Sequence, residues 1–292
     1  MWRRTLLSFL LPAILILAIL SIYPTIKAIS LSLYDRNLFK VGFNQFVGLE
    51  NYIRLVNDAR FLNALKVSFT FWAATVSLAL IFGLMLALLL FGHIKGILLD
   101  IVTTIFIMPA VMSRVATSLI WKFMYQPSLG IINYFIVSIG LSPLDWLANP
   151  NTALFSIVIV DIWQWAPLLA LLILTALEAL PIQIFEAAKV DGASAWQMFR
   201  NLTFPLLMPT ILSLFLLKGV ESFRTFDLMY NMTRGGPGIT TETVDLYAYL
   251  QGIAFGGEIS YASAMSIIML LVTIILFTLI TKVYTKWRSR YE

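Results

Sequence analysis

An all-α, membrane-spanning fold of six helices is what this sequence predicts, from three observations. Hydrophobic residues make up 60% of the chain and charged residues only 12%, about half the charged share of an ordinary soluble domain. Six apolar runs are each long enough to cross a hydrocarbon layer of about 30 Å. None alternates polar and apolar residues as barrel strands do, and helices and closed barrels are the two structures that satisfy a backbone in lipid.

Taken in order, the first run extends from Leu6 to Tyr23 after Met1-Trp2-Arg3-Arg4. It exceeds a signal-peptide core of roughly 7 to 15 residues, and no small-x-small cleavage site follows closely, so it reads as a retained helix. Tyr34 to Arg60 is polar and rich in Asn, Asp, Arg and aromatic residues. It reads as an exposed loop with a short interfacial helix. The remaining runs are Leu62 to Phe91, Ile97 to Phe123, Ala153 to Leu177, Leu206 to Tyr230 and Ala262 to Val283. Together they make one transmembrane domain over residues 1–292, with a polar loop at residues 178–205. Pro109 and Pro167 fall inside runs, where neighbouring groups can satisfy the carbonyls they free. Trp121, Tyr125 and Trp146 suit membrane interfaces.

Charge placement predicts orientation. Arg3, Arg4, Lys95, Lys189, Arg200, Lys282, Lys286, Arg288 and Arg290 fall on one side; Arg36, Lys40, Arg54, Arg60 and Arg234 fall on the other. The larger basic set marks the cytoplasmic side, which holds both termini and the polar loop. The net charge of +5 therefore reports membrane orientation, and nucleic acid is not an expected partner.

That polar loop is an elbow. Pro181 opens a helix where no backbone donor is needed, Ala187 and Ala188 give it a flat surface, Asp191-Gly192 permits a sharp break, and Ser194 caps a second short helix. The pattern Glu186-Ala187-Ala188, three residues, Gly192, nine residues, Leu202, one residue, Phe204-Pro205 resembles the EAA loop of binding-protein-dependent ABC importer permeases. Leu202 and Phe204 stand where that pattern usually has Ile and Leu, a conservative departure for packing. Trp146-Leu147, Ile182 to Ala195, Thr233-Arg234-Gly235-Gly236-Pro237 and Tyr261-Ala262-Ser263-Ala264 resemble the carbohydrate-uptake branch of that family, and the likeness covers nearly the whole chain.

The resemblance implies a cytoplasmic (inner) membrane protein of a bacterium or archaeon, embedded in lipid. Its partners would be a homologous second permease, two ATP-binding cassette subunits that carry ATP and Mg, and an extracytoplasmic solute-binding protein. It implies further that Glu186, Ala187, Ala188, Asp191 and Gly192 dock on the ATPase, with Glu186 facing a basic residue there. Thr233, Gly235, Gly236 and Pro237 would meet the solute-binding protein; a plain structural turn is the competing reading.

Two stretches are candidates for a substrate path. Asp161-Ile162-Trp163-Gln164-Trp165 offers indole faces for pyranose rings and polar groups for hydroxyls, although Trp163 and Trp165 equally suit interfacial anchoring. Ser113 and Thr117, with Arg114, are further candidates beyond Pro109. Lys218, Glu221, Arg224 and Asp227 recur every third residue with alternating sign, so on one continuous helix each would neighbour its opposite. Such a face lines a polar cavity or fastens subunits together, and both readings stand.

Catalysis lacks its parts. There is no cysteine, one histidine (His93) and no phosphate-binding loop pattern, so no catalytic residue, metal site or cofactor is expected in this chain. An ion-coupled secondary transporter using Asp161 or the fifth-run charges is the rival reading. An intramembrane enzyme lacks a nucleophile with a base.

Overall fold

A computed structural model of the chain describes residues 10–12, 14–40, 42 and 44–288. The start of the first run, with Arg3 and Arg4, and the tail residue Arg290 lie outside these residues. Helices dominate: α1 (Leu10–Ser32), α2 (Glu50–Asn57), α3 (Ala59–Leu90), α4 (Ile97–Val111), α5 (Arg114–Met124), α6 (Ile131–Ser138), α7 (Ala153–Glu178), α8 (Ile182–Val190), α9 (Ala195–Ser222), α10 (Phe226–Met232), α11 (Val244–Tyr249) and α12 (Ile259–Arg288). Two short strands, β1 (Tyr34–Arg36) and β2 (Asn44–Phe46), pair antiparallel with Tyr34 opposite Phe46. Among the described residues, five helices are long and apolar enough to cross a membrane, and six spans result when α4 and α5, bent by 96°, are taken as one.

The polar stretch after α1 is more ordered than an exposed loop, because one buried side chain ties it together. Asn51 of α2 donates to the carbonyls of Ser32 and Tyr34 at 2.8 and 2.9 Å, and the Ser32 and Tyr52 hydroxyls meet at 2.6 Å. The chain divides into two compact units, Met1–Leu65 with Thr243–Glu292, and Lys66–Glu242.

In the first unit, α1 packs along α12 and the hairpin reaches the turn before α12. The Leu38 N–H donates to the Gly257 carbonyl at 2.7 Å, and the Arg36 N–H to the Ser260 hydroxyl at 3.1 Å. Gly257 has φ +64°, and a Cβ there would stand 2.5 Å from the Phe39 ring, so both backbone and space require glycine. Asp58 caps α3, accepting from the Arg60 and Phe61 N–H groups and from the Tyr247 and Tyr261 hydroxyls, each at 2.6 Å. Burial works against its ionisation, and these hydrogen bonds outweigh that, holding the carboxyl below its ordinary value. Burial first, and the bond to Asp58 second, push the Tyr247 phenol up to about 12.

In the second unit the core lies between α3, α7 and α9. Ala79, Gly83 and Ala87 recur at four-residue spacing on α3; Ala79 and Ala87 are fully buried, and a Cβ on Gly83 would fall 2.9 Å from that of Leu169. Small residues at this spacing let membrane helices approach until dispersion contacts act between backbones. Leu169, Ala170, Ile173 and Leu177 of α7 fill the facing surface.

Prolines shape two helices through wide turns. In α1 the five-residue turn Ala18–Ile22 precedes Tyr23-Pro24, and in α9 the turn Phe199–Thr203 precedes Phe204-Pro205. In each case the residue before proline donates five residues back, Tyr23 to Ala18 and Phe204 to Phe199. Proline has no N–H to continue the four-residue ladder, so the turn widens instead of breaking.

Candidate functional site: an exposed elbow and a buried charge cluster

The elbow forms as its sequence directs. Pro181 is extended (ψ 116°) and α8 follows it immediately. At the far end the Ala193 N–H bonds to the Ala188 carbonyl at 2.9 Å and the Gly192 N–H to that of Lys189 at 3.1 Å, with Gly192 at φ +78°. This left-handed glycine closure ends the helix using backbone alone. Ser194 then caps α9: its hydroxyl accepts from the Gln197 N–H at 3.3 Å while the Gln197 side chain accepts from the Ser194 N–H at 2.7 Å.

No residue of α8 is buried. Glu186, Ala187, Asp191 and Gly192 are exposed and Ala188 is half-buried. Two large apolar side chains stand out nearby, Val190 at 87% and Trp196 at 66% exposure. The result is a self-supporting corner with an acidic and apolar outer surface.

The charge cluster sits where three helices meet. Lys218 of α9 and Asp161 of α7 are both fully buried, with Nζ 2.6 Å from Oδ2. Arg114 of α5 places its Nη2 3.1 Å from Glu221 of α9 and 3.8 Å from the other oxygen of Asp161. Two cations thus face two anions. The Lys218 ammonium also lies 4.9 Å from the Trp165 ring centre, an additional attraction to the indole face.

The fifth-run charges therefore do not neutralise one another along one helix, as their spacing suggested. α9 ends at Ser222 and α10 begins at Phe226, so the three-residue register is broken between Glu221 and Asp227. Lys218 and Glu221 pair across to α7 and α5. The Arg224 side chain is exposed while its carbonyl accepts from Arg114 at 3.3 Å, and Asp227 stands in the first turn of α10, where a negative charge suits the helix dipole.

The run Ile97 to Phe123 is likewise two helices. α4 continues through Pro109, and the break comes at Met112 and Ser113, both extended. Gln164 of α7 donates to the freed Met112 carbonyl at 3.0 Å, which stabilises the break in an apolar setting. Ser113 is exposed. Among the described residues, Thr117 Oγ1 and Gln164 Oε1 of this cluster are buried without a hydrogen-bond partner, while Arg114 Nη2 and Asp161 Oδ1 are held by ion pairs alone. Trp163, at 37% exposure, stands T-shaped against Trp121 with ring centres 5.5 Å apart.

The Thr233 to Pro237 loop is braced by hydroxyls. Thr233 and Thr241 share a bond of 2.7 Å, and Thr241 donates to the Gly236 carbonyl at 2.9 Å. Thr233, Gly236 and Pro237 line a cleft of ≈ 380 Å³ together with Lys122 and Trp146. Bonded to Pro127 and Trp146 of its lining, buried Asn133 uses all four amide valences: it donates to the Pro127 and Leu144 carbonyls and accepts from the Leu144 N–H and the Trp146 indole. Sequence reading missed this residue, since a single Asn in an apolar run carries no periodic signal.

Residues 79–289 match the family described as binding-protein-dependent transport system inner membrane component. The chain belongs to that family. It is a membrane-embedded permease subunit of an ABC importer, as the elbow motif implied. The permease is 33% identical over 287 residues to the trehalose/maltose transport system permease protein MalF of Thermococcus litoralis, covering 98% of this chain and 94% of that protein. It is 32% identical over 272 residues to the lactose transport system permease protein LacF of Rhizobium radiobacter, covering 92% and 90%. In fold it matches a chain from the crystal structure of a bacterial ABC transporter involved in the import of the acidic polysaccharide alginate, with TM-score 0.82 and 23% identity, over 97% of this chain and 95% of that one.

Proposed function

We propose that this permease and a homologous second subunit form the translocation pathway for a sugar, oligosaccharide or sugar derivative. Two ATP-binding cassette subunits, carrying ATP and Mg, drive it from the cytoplasm, and an extracytoplasmic solute-binding protein delivers the solute. The observation that carries the reading is the elbow: a locally capped corner with an exposed Glu186 and no buried residue in α8. Relatives whose names specify trehalose/maltose and lactose support the carbohydrate class. The half-exposed Trp163 indole, T-shaped against Trp121, offers the kind of ring-face contact that suits a pyranose.

In this reading, ATP binding closes the ATPase pair and draws the elbows together. Glu186, Ala187, Ala188, Asp191 and Gly192 receive the push, and the bundles rock so that the cavity changes the side it faces. Thr233, Gly235, Gly236 and Pro237 meet the solute-binding protein. Both termini and the elbow face the cytoplasm, in line with Lys95, Lys189, Arg200, Lys282 and Lys286 on that side. The ion-coupled alternative is not favoured, because Asp161 is engaged by two cations.

The test is reconstitution of the assembled importer. Sugar-loaded binding protein should raise ATP hydrolysis and uptake in the parent, whereas Glu186→Lys should leave the complex intact and abolish the stimulation. Nucleotide-free accumulation of solute by the chain alone would overturn the reading. Because the chain has no cysteine, a single Val190→Cys variant labelled by impermeant maleimide only in inverted vesicles checks the orientation.

A further inference from the structure

The inner face of the elbow borders a cavity instead of packing against protein. Ile182, Phe185 and Lys189, spaced along one face of α8, line it opposite Leu88 at the end of α3 and Leu177 at the end of α7; its volume is ≈ 730 Å³. Other apolar walls come from Met198 and Phe199 of α9 and Leu99 of α4. Its three charged lining residues, Lys95, Glu178 and Lys189, are all exposed. An apolar cavity of this size left bare to water forfeits dispersion contacts and hydrophobic stabilisation.

Position and charge decide what fills it. The walls are the last turns of two spanning helices, so the cavity lies at the level where lipid tails give way to headgroups. Two ammonium groups and one carboxylate leave the rim net positive, and basic pockets between spanning helices on the cytoplasmic side suit anionic lipid headgroups. The geometry points to a binding site for an anionic phospholipid of the cytoplasmic leaflet, with its phosphodiester between Lys95 and Lys189 and an acyl chain against Leu88, Ile182 and Phe199. Glu178 accepts from a hydroxyl-bearing headgroup such as phosphoglycerol. Because α8 and α9 both line the site, the lipid wedges the inside of the elbow and sets how firmly it transmits a push. This placement rests on the cytoplasmic orientation proposed above.

The test is lipid retention, read without transport. The assembled importer is passed through nanodiscs of phosphatidylglycerol and phosphatidylcholine, released, and weighed by native mass spectrometry. The parent should keep phosphatidylglycerol and shed phosphatidylcholine. The double variant Lys95→Gln/Lys189→Gln should keep at least fivefold less, and Lys95→Arg/Lys189→Arg should restore retention, which separates lost charge from lost folding. Equal retention of both lipids, or unchanged retention in the Gln variant, overturns the site. So does phosphatidylglycerol that is held by the chain alone and lost on assembly with the ATPase, since the partner then fills the cavity. A failed ATP-coupling experiment with intact lipid selectivity would count against the functional reading and not against the lipid site.

Discussion

The charge cluster and the elbow are two polar regions of a mostly apolar chain, and they are held in opposite ways. Asp161 and Lys218 are wholly buried and bound to each other across two helices; Glu186 and its neighbours are exposed, in a corner whose own backbone and capping side chains satisfy it. Charges in the cluster are already spent on partners within the chain. Glu186 and Asp191 of the elbow, both exposed, form no ion pair among the described residues. A polar group is therefore informative about binding only once its partners have been counted.

The largest break in this contrast comes from removing one member of the buried set. Asp161→Asn leaves Lys218 without the carboxylate it is bonded to and should cost about 3–5 kcal/mol, read as a fall in the thermal midpoint of the purified permease in detergent. Asp161→Asn/Lys218→Met removes both charges and should recover most of that loss. An unchanged midpoint in the single variant would show that the pair holds nothing together.

Next comes Asp58, intermediate in exposure between the two regions. Its carboxyl is held low, so its contribution is full above pH of about 4, the ordinary carboxylate range, and is lost as pH falls through the lower folded value. Asp58→Asn should turn two hydroxyl bonds to a charge into bonds to a neutral amide oxygen, a loss of about 1 kcal/mol each, and should flatten the acid limb of a stability-versus-pH curve. An identical acid limb in the variant would assign the loss elsewhere.

Smaller still, Ser194→Ala removes one half of the capping box and should cost about 1 kcal/mol, seen as faster amide exchange at Ala195 to Met198 and not in α7. Smallest of all in stability is Glu186→Lys, which should leave the melting midpoint within about 0.5 kcal/mol of the parent while uptake fails. A large stability loss there would erase the distinction between the two regions.

How much could be read in advance follows the same division. The elbow was legible because its parts are local: Pro181, Gly192 and the Ser194 to Gln197 box each act within four residues. The all-α class was legible because lipid leaves so few alternatives. The cluster was not, since Lys218 and Asp161 are 57 positions apart and the three-residue spacing pointed to partners along a helix that stops at Ser222. The break at Met112 was equally hidden, because the group that supports it, Gln164, lies 52 positions away. Asp58 had a signal that could have found it, an Asp just ahead of a long apolar helix in the N-cap position. The wide turns before Pro24 and Pro205 show why a proline in a membrane run marks a change of ladder as readily as an end.

α9 begins in the elbow and ends among the buried charges, and it carries the wide turn Phe199–Thr203 without ending there. At 1.5 Å per residue, Lys218 sits roughly 22 Å along the axis from the wide turn at Thr203, and a tilt of about 5° there carries it about 2 Å. That is most of a salt-bridge length. If the elbow docks as proposed, α9 serves as a crank, with its handle in the partner's grip and its tooth engaged in a neutral lock.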